Sequence, residues 1–450
     1  MGTDPFRFRD DTLLSLGLAS KPPAWLCTIS VRFIMQALII EKPYQFVRPP
    51  RRSFVLWVVA GLRLYRIWLK SSENIYEYEV KNQHRIQASL DAGHSVLVAG
   101  NHCRNADPMA IGELLYVVNS YAYLMASWHL YNQDAFSAWM IKHLGAFSIN
   151  REGMDKQAIS FSIKTLVDGE RMLVIYPEGS VSRSNDFMHP FLDGTGFIAR
   201  TAARKRKKLA GGKNSGKVMI HPVTFRYHFI GAFHTCCNHS LDLLESHLNW
   251  EPQTNLPLLE RIGKVAEGLL AERELAYLGA ESSGGYYERI EALIVHILTQ
   301  QELKWKGSVQ SGDYIPRVKS LRPLIVPDLT KGILDDQEAA SRRQDLYDLN
   351  LVQQLCYYPV DYLTGRTGKV TQERIIETLE RLEEDLTDKI TMPRKFKLVI
   401  DVLDAVEVPA EKLARDATSD PVLDEVRARL EENLLASAES MDSYVTADTD

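Results

Sequence analysis

The sequence predicts an α/β fold: a central mixed sheet flanked by helices, with interfacial helices before it and a C-terminal helical extension after it. Three observations lead there. Short apolar runs at 95–99 (Ser-Val-Leu-Val-Ala), 171–176 (Arg-Met-Leu-Val-Ile-Tyr) and 217–223 (Lys-Val-Met-Ile-His-Pro-Val) have the length and composition of buried strands. Two apolar segments near the start are each interrupted by arginine. From about residue 255 the apolar spacing turns helical.

Taken in order, residues 1–70 carry eleven Lys or Arg against four acids. Segment 24–40 holds Arg32 in its middle, and segment 54–69 is cut by Arg63 and Arg66. Both fall short of the roughly 20 uncharged residues that a membrane span prefers. Their Trp, Phe, Leu and Arg mixture is that of helices lying in a membrane interface. Between them, Arg48-Pro49-Pro50-Arg51-Arg52 suits anionic headgroups. No secretory signal is expected, because Met1-Gly2-Thr3-Asp4-Pro5 lacks a basic start leading into an apolar core. Phe6 also fails the hydroxyl position of a myristoylation signal.

The first predicted strand ends at Gly100 and runs into Asn101-His102-Cys103-Arg104-Asn105-Ala106-Asp107-Pro108. Asp107 followed by Pro108 is a helix-start signal, with Asp as N-cap and Pro at the first helical position. A histidine at the mouth of such a turn can reach a substrate, and a nearby carboxylate can fix its tautomer. The plainer alternative makes Asp107 a cap and His102 a turn residue. His129 and Asp134 repeat the interval without a preceding strand or glycine, and that pair is read as structural. Three later pieces add weight. Gly145-Ala146-Phe147-Ser148-Ile149-Asn150-Arg151 ends in an arginine, Pro177-Glu178-Gly179-Ser180-Val181-Ser182-Arg183 follows the second strand, and Pro222 interrupts the third.

In this order the four pieces resemble the blocks of the glycerolipid acyltransferase family, of the 1-acylglycerol-3-phosphate acyltransferase type, over roughly residues 75–230. The resemblance implies transfer of a fatty acyl group from acyl-CoA or acyl carrier protein to a hydroxyl of a lysophospholipid or glycerol phosphate. It makes His102 the general base and Asp107 its orienting partner. It puts Asn101, Arg104, Arg151, Glu178, Gly179, Ser180 and Arg183 at the substrate, and Pro222 in the core strand beside it. Tyr176 stands for the usual Phe and Ser180 for Thr. Val181 stands where the family often has an arginine, a phosphate contact that Arg183 or Arg104 would have to supply. No covalent acyl-enzyme is implied, so Cys103 need not be a nucleophile, and no cofactor is expected beyond the acyl donor as co-substrate. Two rivals are an ester or thioester hydrolase using the same histidine, and a non-catalytic membrane scaffold.

Composition bounds the rest. A content of 45% hydrophobic and 25% charged residues is that of a globular protein. Five cysteines, scattered except for Cys236-Cys237, argue for a reducing compartment, hence a peripheral or monotopic position on a cytoplasmic membrane face. The basic run at 204–208, with the Gly-rich stretch at 211–217, is expected to be a solvated loop, or else a landing site for headgroups, coenzyme A phosphates or a carrier protein. It is too short to predict nucleic-acid binding in a chain of net charge -5. His234-Thr235-Cys236-Cys237-Asn238-His239 matches no zinc spacing, and no metal is expected. Helices are predicted at 258–278, 286–305 and 371–390, with a Pro-rich bridge at 314–327. The implied divisions are 1–70 interfacial helices, 71–255 acyltransferase domain, 256–310 helical extension, 311–435 mostly helical region, and 436–450 disordered acidic tail. Oligomeric state is not legible.

Overall fold

The computed structural model describes residues 42–209, 216–359, 362–365, 368–387, 389–414, 417, 419–441 and 444. The apolar segment 24–40 lies outside them. Segment 54–69 forms two short helices, α1 (Phe54–Gly61) and α2 (Tyr65–Glu73), broken where Arg63 takes a positive φ of 52°. Its two arginines turn inward, and both pair with the buried Glu113. Tyr65 and Leu69 pack into the core, while Phe54, Trp57 and Ile67 point outward at 76%, 62% and 66% exposed. Among the described residues no helix is long and apolar enough to cross a membrane.

The sheet follows from β1 (Ile75–Lys81), α3 (His84–Asp91), β2 (Ser95–Gly100), α4 (Asp107–Val117), β3 (Ala122–Ser127), α5 (Ala135–His143), β4 (Ala146–Ile149), α6 (Lys156–Asp168), β5 (Met172–Ile175), α7 (Gly194–Lys208) and β6 (Val218–Phe229). All three predicted strands are present. β2, β5 and β6 lie side by side and parallel, and β2 is buried along its whole length, as its unbroken apolar run requires. α4 starts one residue earlier than its cap signal suggests, so Asp107 is its first residue rather than its cap.

The C-terminal third is mostly helical, as expected, but it also returns two strands to the sheet. After α8 (Phe233–His247), helices α9 (Leu258–Leu278), α10 (Tyr286–Lys306), α11 (Tyr314–Lys331) and α12 (Asp336–Leu355) share one apolar cluster that includes Leu270, Leu293, Ile297, Leu321 and Val352. A division at residue 310 cuts through it, and the Pro-rich bridge is the helix α11, with Pro323 and Pro327 inside. The predicted helix at 371–390 is α13 (Gln372–Thr387). Beyond it, β7 (Phe396–Val402) inserts between β1 and β6, parallel to the former and antiparallel to the latter, and β8 (Val406–Glu407) pairs with β6. The strand order is β1-β7-β6-β2-β5-β3-β4, a mixed and mostly parallel sheet. α14 (Pro421–Glu439) buries Leu434 and Ala438, so the expected tail at 436–450 is helical through Glu439.

Two apolar layers cover the faces of the sheet. One combines Val96, Val98, Ile111, Phe225, Tyr227 and Phe396 with α4, α8 and α13 residues, and the other joins Leu97, Leu173 and Ile220 to α6, α7 and α14. The basic run 204–208 is no loop. It ends α7, where cations oppose the helix dipole, and the buried Arg206 donates to the carbonyls of Leu166, Val167, Gly93 and Gly216.

Candidate active site

The turn after β2 is held in place by its neighbours. The Asn101 side chain accepts from Phe225 N at 2.7 Å and donates to Phe225 O at 3.0 Å, so it extends the β2–β6 ladder past the end of the strand. His102 N donates to Glu178 Oε1 at 2.6 Å, and His102 O accepts from Ser182 N at 2.7 Å. The backbone of this histidine is thus fixed on both sides by the loop after β5. Its ring stacks on Tyr176 with centroids 4.3 Å apart.

His102 Nδ1 lies 2.8 Å from Asp107 Oδ2. Asp107 is fully buried and also accepts from Arg104 N at 3.0 Å and Tyr227 OH at 2.5 Å. A carboxylate with this many donors is acceptor-only, so the hydrogen-bond network assigns the shared proton to Nδ1 and leaves Nε2 as the basic nitrogen. Burial pushes the Tyr227 hydroxyl well up, and it remains a donor. Burial and Asp107 likewise push the Cys103 thiol up, which disfavours a nucleophilic thiolate.

His102 borders a cavity of about 1350 Å³, larger than the roughly 300–1,000 Å³ of ordinary small-molecule pockets. Its wall is mainly apolar, with Trp57, Met109, Leu124, Phe136, Met140 and Leu192 among the residues that line it. Arg151, Gly179, Ser180 and Val181 join His102 in this wall. Arg151 Nη2 donates to Gly179 O at 2.5 Å, and Ser180 Oγ lies 2.9 Å from Tyr357 OH. Gly179 sits at φ 67°, where a Cβ would also meet Leu192 Cδ1 at 2.5 Å. Glycine adopts this left-handed conformation without strain.

Four of the residues expected at the substrate are placed behind the wall instead. Asn101 is the ladder clamp already described. Glu178 is buried and accepts from His102 N and from His189 N at 2.7 Å, so it ties two loops together. Burial pushes its carboxyl up, to about 8, while the two N–H donors pull it back. Arg104 is paired with Glu380 of α13 at 3.1 and 2.7 Å, and Arg183 with Asp385 at 3.0 Å and Glu384 at 3.2 Å. Neither arginine is in the cavity wall, and neither compensates for Val181. His129 and Asp134 have separate partners: His129, which also lines the cavity, meets Ser127 Oγ at 2.8 Å, and Asp134 caps α5 through Ser137 N.

The role of α13 has no local signal in the chain. Its charged face is buried against the loops that carry the site. Arg381 donates to Ser182 O at 2.7 Å and to Tyr357 O, Glu377 accepts from Asn185 N at 3.1 Å, and Glu380 holds Arg394 as well as Arg104. Tyr227 also escaped notice, because it lies past Pro222 in a strand expected to be shorter.

Residues 77–226, from β1 to near the end of β6, match the family model described as Acyltransferase. The match covers a third of the chain, and it supports a general acyltransferase function. No curated protein matches the chain. The acyltransferase domain holds His102, Asp107, Arg151 and Glu178, whereas β7 and α13, which complete its sheet and grip its loops, lie beyond the matched segment.

Proposed function

We propose that the protein transfers a fatty acyl group from an acyl thioester, acyl-CoA or acyl carrier protein, to a hydroxyl of a lysophospholipid or glycerol phosphate, most simply 1-acylglycerol-3-phosphate. The observation that carries this reading is the His102–Asp107 pair on the border of a large apolar cavity. A hydroxyl is a weak nucleophile until a base within hydrogen-bond reach takes its proton. His102 Nε2 removes that proton as the oxygen attacks the thioester carbonyl. The C–S bond then breaks, and the imidazolium returns the proton to the leaving thiolate. Asp107 holds the ring and stabilises its charged form. The apolar wall takes the acyl chain, and Arg151 is the cation for the charged acceptor.

The protein acts at a membrane surface, on the cytoplasmic face. Supporting this, exposed Phe54, Trp57, Phe136, Trp139 and Met154 stand on α1, on α5 and beside β4, and Trp57, Phe136 and Met154 also line the cavity. A lipid chain entering from a bilayer would meet apolar surface throughout.

The test is a radiolabelled acyl-CoA assay against a panel of lysolipids, with His102→Ala as control. Acyl-lipid product that depends on the acceptor and on His102 is expected. Free fatty acid regardless of acceptor makes the protein a hydrolase, and near-normal transfer by His102→Ala ends the assignment.

A further inference from the structure

Two of the residues lining the cavity are Lys or Arg, and they come from distant parts of the chain. Arg151 follows β4 in the acyltransferase domain. Lys319 sits in α11 of the helical bundle, far outside the matched segment. Neither has a carboxylate partner among the described residues. The acid next to Arg151, Glu152, is taken by Arg322, which grips it with two nitrogens at 2.6 to 3.0 Å. Lys319 is half-buried and makes no hydrogen bond or ion pair among the described residues.

Two carboxylates line the same cavity, and neither neutralises this pair. Asp155 is occupied by Asn150 N, Gln157 N and Ala158 N, each at 3.0 Å, and by the Tyr44 hydroxyl. Glu73 sits among Arg394, Arg104, Glu380 and Asp107, on the His102 side. Burial and the charge of Arg151 push the Lys319 ammonium down to about 8. Lys319 is held partly out of water without a counter-charge, which is costly, and an anionic ligand offsets that cost; Arg151 stands exposed beside it. The hydroxyls of Ser180 and Tyr357, paired beside Arg151's partner Gly179, add neutral donors to the same corner.

We propose that Lys319 joins Arg151 in a subsite for a substrate phosphate group, so that the helical bundle, and not the acyltransferase domain alone, selects the charged substrate. This rests on the acyl-transfer reading and adds a residue to it. A lysine suits the task as a compact charge on a flexible stem, complementing the planar guanidinium across the site.

The experiment uses the full chain with Lys319→Met and Lys319→Arg. Lys319 holds no partner among the described residues, so neither variant is expected to melt below the wild-type midpoint. With 1-acylglycerol-3-phosphate as acceptor, Lys319→Met raises KM by roughly tenfold and leaves kcat within about twofold, while Lys319→Arg restores most of the loss. Monoacylglycerol, which lacks the phosphate, shows no difference. A rise in the KM of acyl-CoA that vanishes with acyl-pantetheine keeps the subsite and makes its phosphate the donor's. Unchanged KM values for both substrates overturn the proposal. A wild type that transfers to no acceptor ends the underlying reading instead. Direct titration of wild type and Lys319→Met with 1-acylglycerol-3-phosphate then decides the subsite alone, equal affinities overturning it.

Discussion

Replacing Glu380 by Gln probes whether α13 is part of the catalytic unit. Glu380 accepts from both terminal nitrogens of Arg104 and also from Arg394, and all three side chains are 11% exposed or less. Burial alone would raise the Glu380 carboxyl, yet Arg104 and Arg394 hold it below its ordinary value. Removing one partner of a buried pair costs about 3–5 kcal/mol, because the other charge stays buried. Gln keeps one acceptor oxygen, so the lower end of that range is expected. The assay is urea unfolding: the midpoint falls while the slope stays constant. Arg104 N–H also supports Asp107 at 3.0 Å, so loosening Arg104 disturbs the His102 pair, and kcat drops by about tenfold to a hundredfold. Adding Arg104→Met to Glu380→Gln recovers stability, with a coupling of at least about 1 kcal/mol. The sign with pH follows: a depressed carboxylate contributes above its unfolded pKa, and the contribution is lost as pH falls through the folded value. A wild-type midpoint and wild-type kcat in Glu380→Gln would refute the coupling.

Asp107→Asn should lower kcat by about 10³- to 10⁴-fold with little change in KM, since a carboxamide cannot hold the imidazole in the required tautomer; steady-state kinetics on folded variant checks this. Arg151→Ala should raise the KM of a phosphate-bearing acceptor tenfold or more, and an unchanged KM and kcat would remove it from the site. Glu178, pushed up to about 8 by burial, binds its proton more tightly folded than unfolded, so its contribution is full below about 4.5 and declines as pH rises to 8. Glu178→Gln should flatten that slope in urea midpoints measured from pH 5 to 8. A slope identical to wild type would show that Glu178 is ionised throughout.

The strand–turn–helix around His102 was legible because its signals are local: an apolar run, a glycine, then Asp-Pro. The same holds for α9 and α10, found almost residue for residue, and for the start of β6. What failed was long-range. Phe396-Lys-Leu-Val-Ile-Asp-Val is an ordinary apolar run, and nothing local says that it pairs with β1 and β6. The charged stripe of α13 looks like a solvated face until Arg104 and Arg183 pair with its acids and the Ser182 carbonyl accepts from its Arg381. Arg104 and Arg183 were misread for the matching reason, since a motif arginine with an unseen carboxylate looks free for substrate. Pro323 and Pro327 suggested a bridge, but helix packing overrode that local preference.

Because β7 fills the gap between β1 and β6, the sheet cannot close until residues 396–402 have been synthesised. Every motif residue is synthesised well before the strand that completes their platform. Premature stop codons anywhere before residue 402 should therefore yield protein that is degraded, not a shortened enzyme, and tags or fusions are better tolerated after α14 than within the bundle.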